Sequence, residues 1–83
     1  MPVDKSISSQ RHRQLARLLR ELRIRTGMSQ AEVAELIDED QSFVSRYEGG
    51  LRRLDLVELE QVAFALGVPL RQIVELFEEI ETP

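Results

Sequence analysis

The glycines of this chain all fall between stretches whose apolar residues recur every three or four positions. The four glycines are Gly27, Gly49, Gly50 and Gly67, and no stretch shows sustained apolar–polar alternation. Alternation marks a half-buried strand, whereas the spacing seen here marks an amphipathic helix. The sequence therefore predicts an all-α fold, a compact bundle of five helices over about residues 10–26, 30–37, 41–48, 56–66 and 70–81.

The expected helix ends carry residues that stabilise them. Ser9 is placed to cap the first helix, and Gly27 supplies its left-handed stop. Ser29 and Glu32 fit a capping box, and Asp55 is placed to cap the fourth helix. That helix is expected to bury Leu56, Leu59, Val62, Ala63 and Leu66. We expect residues 1–8 to be a flexible arm, residues 9–81 one domain and residues 82–83 a tail.

Composition limits the chemistry that is open to the chain. With 83 residues it fits one small domain, and the absence of cysteine excludes disulfides and cysteine-ligated zinc. The single histidine, His12, excludes a multi-histidine metal site and is expected to be exposed and not catalytic. Apolar runs are too short for a membrane span. We therefore expect a cytoplasmic protein without cofactor, metal, small-molecule substrate or membrane partner.

The net charge of −4 is distributed unevenly. Residues 1–25 carry seven basic and two acidic side chains, whereas residues 54–83 carry one basic and seven acidic side chains. Such asymmetry indicates a molecule with two electrostatic ends, of which the basic one suits a polyanion. A solvated arginine-rich helix face would look the same, so charge alone leaves both interpretations open.

Three acids separate the second and third expected helices. Two short amphipathic helices joined by three residues predict a helix-turn-helix formed by helices 2 and 3. Asp38 stands where the turn requires a left-handed backbone, which aspartate tolerates. Asp40 stands where the third helix needs an N-cap, at the positive end of the helix dipole. Glu39 has no such local role.

The stretch MSQAEVAELIDEDQSFVSRYEGG, residues 28–50, resembles the helix-turn-helix of lambda-repressor-like, Cro-type regulators of the Xre family. The later stretch LEQVAFALGVPLRQIVELF resembles the fourth and fifth helices of the same family, so the resemblance covers roughly residues 10–77. The family usually has glycine where Asp38 stands. The resemblance implies a DNA-binding regulator whose third helix enters the major groove by its N-terminal end.

Specific residue roles follow from that resemblance. Base contacts are expected from the outward side chains of the third helix, namely Gln41, Ser42, Ser45 and Arg46. Phosphate contacts are expected from Gln30, Arg52 and Arg53. Arg23 and Glu48 occupy positions that the family pairs, which implies a partly buried ion pair. Phe43 is expected to be largely exposed, where it could contact a thymine methyl group or lie against the neighbouring loop.

The fifth helix carries more apolar residues than one core-facing side requires. We expect the surplus to form a homodimer interface, with helix 5 contributing, through Leu76, Phe77, Ile80 and Phe64. The alternative is that these residues only widen the core or cover the first helix. A dimer would read a palindromic operator, with half-sites about one DNA turn apart.

Two functions remain open from the sequence. The first is a homodimeric transcriptional repressor or autoregulator that binds double-stranded DNA specifically. The second is an antitoxin-like or adaptor module on the same fold, which binds a protein partner and binds DNA weakly or not at all. An enzyme is not expected, because the sequence has no cysteine, no paired histidine–carboxylate motif and no phosphate-cradling glycine loop.

Overall fold

The computed structural model describes residues 5–81, with side chains from residue 9 onward. The helices are α1 (Lys5–Thr26), α2 (Gln30–Leu36), α3 (Gln41–Glu48), α4 (Leu56–Leu66) and α5 (Leu70–Glu79). No strand occurs within residues 5–81, and the predicted all-α, five-helix architecture is confirmed. Over the same range, no helix combines the length and the apolar character needed to cross a membrane.

The first helix begins earlier than the sequence predicts. It starts at Lys5, so Ser9 lies inside the helix and not at its N-cap. Residues 5–8, which were expected to belong to a flexible arm, are therefore helical, while residues 1–4 and 82–83 lie outside the described residues. The segment from Lys5 to Ser9 contains no glycine or proline, and adding residues to an existing helix is easy compared with nucleating one.

Each of the five helices places a fully buried side chain in one core. These residues are Leu19 from α1, Val33 from α2, Val44 and Tyr47 from α3, Val62 from α4 and Ile73 from α5. Because every helix contributes, the bundle depends on all of its parts for a closed apolar interior. The backbones of α2 and α3 pack most extensively, and α1 and α4 support them from behind.

Two details of the later helices differ from expectation. Leu56, predicted to be buried, is 66% exposed, because the first turn of α4 projects beyond the apolar stripe that is centred on Val62 and Leu66. The fifth helix ends at Glu79 and not at residue 81, with Ile80 already extended. Glutamates concentrate at this end, where the helix dipole is negative, so further helical turns are disfavoured.

Candidate nucleic-acid interface

The turn between α2 and α3 is built by backbone hydrogen bonds that require a left-handed residue. Asp38 has a φ of 57°, and its N–H donates to the carbonyl of Glu35 at 3.2 Å. The N–H of Glu39 donates to the carbonyl of Ala34 at 2.9 Å. These two bonds make a Schellman motif, which ends α2 sharply. Glu39 thus contributes its backbone to the turn, which leaves its side chain exposed.

Asp40 caps α3 as the sequence predicts. Its carboxylate accepts a hydrogen bond from the Phe43 N–H at 3.1 Å and another from the Ser42 hydroxyl at 2.5 Å. The Ser42 hydroxyl, and then the Phe43 N–H, hold the pKa of Asp40 below its usual range. The negative charge at the mouth of α3 is therefore engaged by groups of the helix itself.

The four residues expected to contact bases share one exposed surface. They follow one another at spacings of one, three and one along α3, on the side opposite to buried Val44 and Tyr47: Gln41, Ser42, Ser45 and Arg46. We call this surface the recognition face. Ser42 is the member whose side chain bonds to another described residue, because its hydroxyl donates to Asp40. The recognition face is thus open to a partner.

The end of α3 is anchored to α1 by a buried ion pair. Arg23 Nε lies 2.7 Å from Glu48 Oε2, and Arg23 Nη2 lies 3.0 Å from Glu48 Oε1. The side chains are 12% and 2% exposed, so the ion pair predicted from the family resemblance is present and buried. The hydrogen bond to Glu48 raises the pKa of Arg23. A third bond, from Arg23 Nη1 to the Met28 carbonyl at 2.9 Å, ties in the loop before α2.

Gln30 joins this buried pair. Its Nε2 donates to Glu48 Oε1 at 3.0 Å, and the residue is half-buried. An amide nitrogen has two N–H groups, so one remains for another acceptor. The capping box of Ser29 and Glu32 forms as predicted, with bonds of 3.0 and 3.1 Å.

Arg52 and Arg53 were both predicted to contact phosphate, but their side chains occupy different environments. The guanidinium of Arg52 binds both carboxylate oxygens of Glu58, at 2.8 and 3.2 Å, and the carbonyl of Arg53 at 2.6 Å. The side chain of Arg53 is exposed and bonds to no other described residue. Of the two, Arg53 is the one whose donors are all available to a phosphate, because three of the five N–H groups of Arg52 are engaged within the protein.

Phe43 is not largely exposed, and that expectation is wrong. The residue is half-buried and packs against the core, with its ring edge-on to Tyr47 at 5.7 Å between centroids. The Arg52 guanidinium covers it at 4.6 Å from the ring centroid. The alternative in which Phe43 lies against the neighbouring loop matches this geometry, because Arg52 belongs to that loop.

The residues expected at a dimer interface separate into two groups. Leu76, Phe77 and Ile80 are half-buried, whereas Phe64 is 81% exposed. Arg11 of α1 lies over the Phe77 ring at 3.8 Å and donates to the carbonyls of Phe77 and Ile80 at 3.1 and 3.3 Å. For Phe77 and Ile80 the alternative of covering α1 therefore describes their surroundings, whereas Leu76 packs against the core.

Two sets of contacts near the proposed site and the α5 region were missed from the sequence. The contacts of Arg11 with Phe77 and Ile80 join residues far apart in the chain, so no local sequence pattern indicates them. The role of Glu58 could have been found, because Asp55 and Glu58 have the spacing of a capping box, and Glu58 Oε1 accepts from the Asp55 N–H at 2.9 Å.

Known proteins are similar to this chain in sequence and in fold. A family model described as a helix-turn-helix domain matches residues 14–76. The control protein C.MunI of a Mycoplasma species is 40% identical over 57 residues, which is 69% of this chain and 73% of that protein.

Two solved structures are similar across most of their length. The restriction-modification controller protein C.AhdI from Aeromonas hydrophila superposes with a TM-score of 0.74 at 34% identity, over 78% of this chain and 94% of that chain. An XRE-family like protein from Pseudomonas syringae pv. tomato str. DC3000 gives 0.83 at 34% identity, over 89% and 90% of the two chains. The chain therefore belongs to the helix-turn-helix domain family and is an Xre-type DNA-binding transcriptional regulator.

Proposed function

We propose that a homodimer of this chain binds a palindromic operator in double-stranded DNA, with the recognition face of each protomer in the major groove. The observation that carries the proposal is an open polar face on a helix that is held at both ends. Glu48 anchors its C-terminal end, and the Asp40 cap and the Phe43 packing hold its N-terminal end. A helix fixed in this way can present donors and acceptors at constant positions.

The base contacts divide by chemistry. Gln41 is suited to adenine, whose N6 and N7 match a carboxamide, and Arg46 is suited to guanine O6 and N7. Ser42 donates its proton to Asp40 and retains its lone pairs. It would therefore accept from a base amino group, on adenine or cytosine. Ser45 lies on the same surface and can contact either type of edge.

The phosphate contacts are assigned to Arg53 and Gln30. Arg53 is exposed with free donors, and Gln30 keeps one N–H after bonding to Glu48. Arg52 is not assigned to phosphate, because its guanidinium binds Glu58 and the Arg53 carbonyl. We expect the acids beside the groove to permit approach, because the charged Asp40 carboxylate accepts hydrogen bonds from Ser42 and Phe43 and lies at the positive end of the α3 dipole.

The proposed dimer surface is the outer side of α4. Leu56, Val57 and Phe64 lie on it, and each is more than 60% exposed. Beside it, an apolar groove of about 610 Å³ is lined mainly by Leu36, Ile37, Phe64, Val68, Pro69 and Leu70. An apolar surface next to an apolar groove suits a two-fold interface, in which each protomer contributes both parts.

Sedimentation of two variants tests the dimer. Phe64→Ser should shift the chain to monomer and weaken operator binding, while Ile24→Ser, at an exposed apolar residue of α1, should leave the dimer intact. If Phe64→Ser and the unmodified chain sediment alike, the α4 interface is excluded. Phe77→Ser serves as the comparison for α5.

The regulated genes are proposed from the relatives. Two of them are a control protein and a restriction-modification controller, at 40% and 34% identity. We infer that this chain acts in the cytoplasm as a repressor or autoregulator without a catalytic step. Its own gene is among the genes that we propose it regulates. Protection mapping on DNA upstream of its coding region tests this.

Base reading is tested on a duplex selected by the protein from a random pool. Gln41→Ala and Arg46→Ala should each lose about 1–3 kcal/mol, and each loss should be confined to one base pair. Arg71→Ala is the matched control, since it removes an exposed arginine of α5. A uniform loss on every sequence for Arg46→Ala would remove its assignment as a base reader.

A further inference from the structure

Arg52 lies at the joint between α3 and α4, and its guanidinium contacts both helices. Toward α4, Nη2 and Nη1 bind Glu58 Oε2 and Oε1 at 2.8 and 3.2 Å. Toward α3, the guanidinium carbon lies 4.6 Å from the centroid of the Phe43 ring, a distance typical of a cation–π contact. The same Nη1 donates to the Arg53 carbonyl at 2.6 Å, which closes the loop on itself.

Three of the five N–H groups of this guanidinium are engaged within the protein. Nη1 and Nη2 bind one carboxylate and one carbonyl, and the face of the guanidinium lies on an aromatic ring. The hydrogen bond to Glu58, followed by the charges of Glu58, Glu39 and Asp55, raises the pKa of Arg52. A phosphate approaching this arginine would meet three carboxylates, which oppose it. The exposed side chain of Glu39 thus lies near a positive charge, that of Arg52.

The contact with Phe43 places Arg52 against the working end of α3. Phe43 follows Gln41 and Ser42 in the first turn of α3, and it meets buried Tyr47 edge-on with an angle of 77° between rings. A continuous series of contacts therefore runs from Glu58 through Arg52 and Phe43 to Tyr47 in the core. Rotation of the first turn of α3 about the helix axis would break these contacts.

We propose that Arg52 is a positioning residue that braces the first turn of α3 through Phe43 and so aims Gln41 and Ser42 at the bases, without contacting phosphate. The inference rests on the proposed function of the recognition face. Glu58 is the second half of the brace, because it holds Arg52 and the Asp55 N–H together. Removal of either partner should disturb base discrimination more than general affinity for DNA.

The test compares lysine and glutamine at one position. Binding is measured for the duplex selected by the unmodified chain and for a scrambled duplex of equal length, over a range of salt. Lysine keeps the charge but loses the planar fork. Arg52→Lys and Arg52→Gln should therefore both lose about fivefold to tenfold on the selected duplex. Both variants should bind the scrambled duplex with the affinity of the unmodified chain. The dependence of that affinity on salt should also be unchanged.

Arg53→Gln is the matched control, and Glu58→Gln is the second variant. Arg53→Gln should weaken binding to both duplexes and reduce the slope of log affinity against log salt by about 0.9. Glu58→Gln should lower discrimination as Arg52→Lys does, with no reduction in that slope. All variants are measured well below their denaturation midpoints, which are recorded by circular dichroism, so that unfolded protein does not contribute.

Three outcomes would overturn the inference. In the first, Arg52→Lys binds like the unmodified chain while Arg52→Gln weakens on both duplexes with a lower salt slope, which makes Arg52 a phosphate contact. In the second, Arg52→Gln keeps full discrimination and only its denaturation midpoint falls, which makes Arg52 a stability residue. In the third, Glu58→Gln retains full discrimination. Failure of the unmodified chain to select any duplex would instead contradict the proposed function, before any variant is measured.

Discussion

An arginine–glutamate pair lies near each end of α3, and the two pairs differ in burial, not in length. Arg23–Glu48 spans 2.7 Å with side chains 12% and 2% exposed, whereas Arg52–Glu58 spans 2.8 Å with side chains 34% and 27% exposed. A buried charge that loses its partner remains desolvated, while a half-exposed one returns to water. We therefore expect the first pair to govern stability and the second to govern the aim of the helix.

The buried pair gives the largest expected effect. Glu48→Ala leaves the Arg23 guanidinium desolvated and also removes the acceptor of Gln30. It should lower the free energy of unfolding by about 3 kcal/mol, measured by urea denaturation. The double variant Arg23→Met with Glu48→Leu should lose less than the single variant, because no charge is left buried. A double variant as unstable as the single one would contradict this account of the pair.

The raised pKa of Tyr47, which lies beside the buried pair, predicts that the fold loses stability at alkaline pH. Burial, and then the charge of Glu48, raise the pKa of its phenol, although Arg23 opposes them. Because the folded pKa lies above the unfolded value of about 10, its contribution is complete below pH 10 and declines above it, by roughly 1.4 kcal/mol per pH unit.

The single tyrosine makes this measurable, since tyrosinate absorbance reports Tyr47 alone. The folded chain should show no phenol ionisation near pH 10, and Tyr47→Phe should lose the decline in stability above that pH. Half-ionisation of the folded chain near pH 10 would show that the ring is not buried as described.

Substitution of Asp38 changes the turn before α3 without changing either arginine–glutamate pair. Its φ of 57° is left-handed, where glycine has no steric cost. Asp38→Gly should raise the free energy of unfolding by about 0.5 kcal/mol and leave base discrimination unchanged, whereas Asp38→Ala should destabilise the fold. Denaturation and binding to the selected duplex are measured together. A loss of discrimination in Asp38→Gly would show that the turn, and not Arg52, sets the aim of α3.

The smallest expected change in stability belongs to Arg52→Gln. Its pair with Glu58 is half-exposed, so the denaturation midpoint should fall by much less than in Glu48→Ala. If the two variants were equally unstable, the contrast between the ends of α3 would disappear.

The parts of the fold that depend on neighbouring residues were predictable from the sequence. The limits of α3, the Asp40 cap and the left-handed Asp38 follow from side chains within a few positions. The Arg23–Glu48 pair was reached through the family resemblance, since 25 positions separate the two residues.

The surroundings of side chains were less predictable. Phe43 lies outside the apolar stripe that Val44 and Tyr47 define, yet Arg52 covers its ring from a loop that has no periodicity. Leu56 fits the apolar pattern of α4 but falls beyond the edge of the core. Such outcomes depend on how separate elements meet, which spacing along one helix does not encode.

Chemical protection of the selected duplex with dimethyl sulfate tests the recognition face most directly, because the reagent methylates guanine N7 in the major groove and adenine N3 in the minor groove. We predict protection of guanine N7 at the two half-sites, with adenine N3 still reactive, and loss of protection at one guanine per half-site in Arg46→Ala. Protection confined to adenine N3, or N7 protection that Arg46→Ala leaves intact, would contradict major-groove reading by α3.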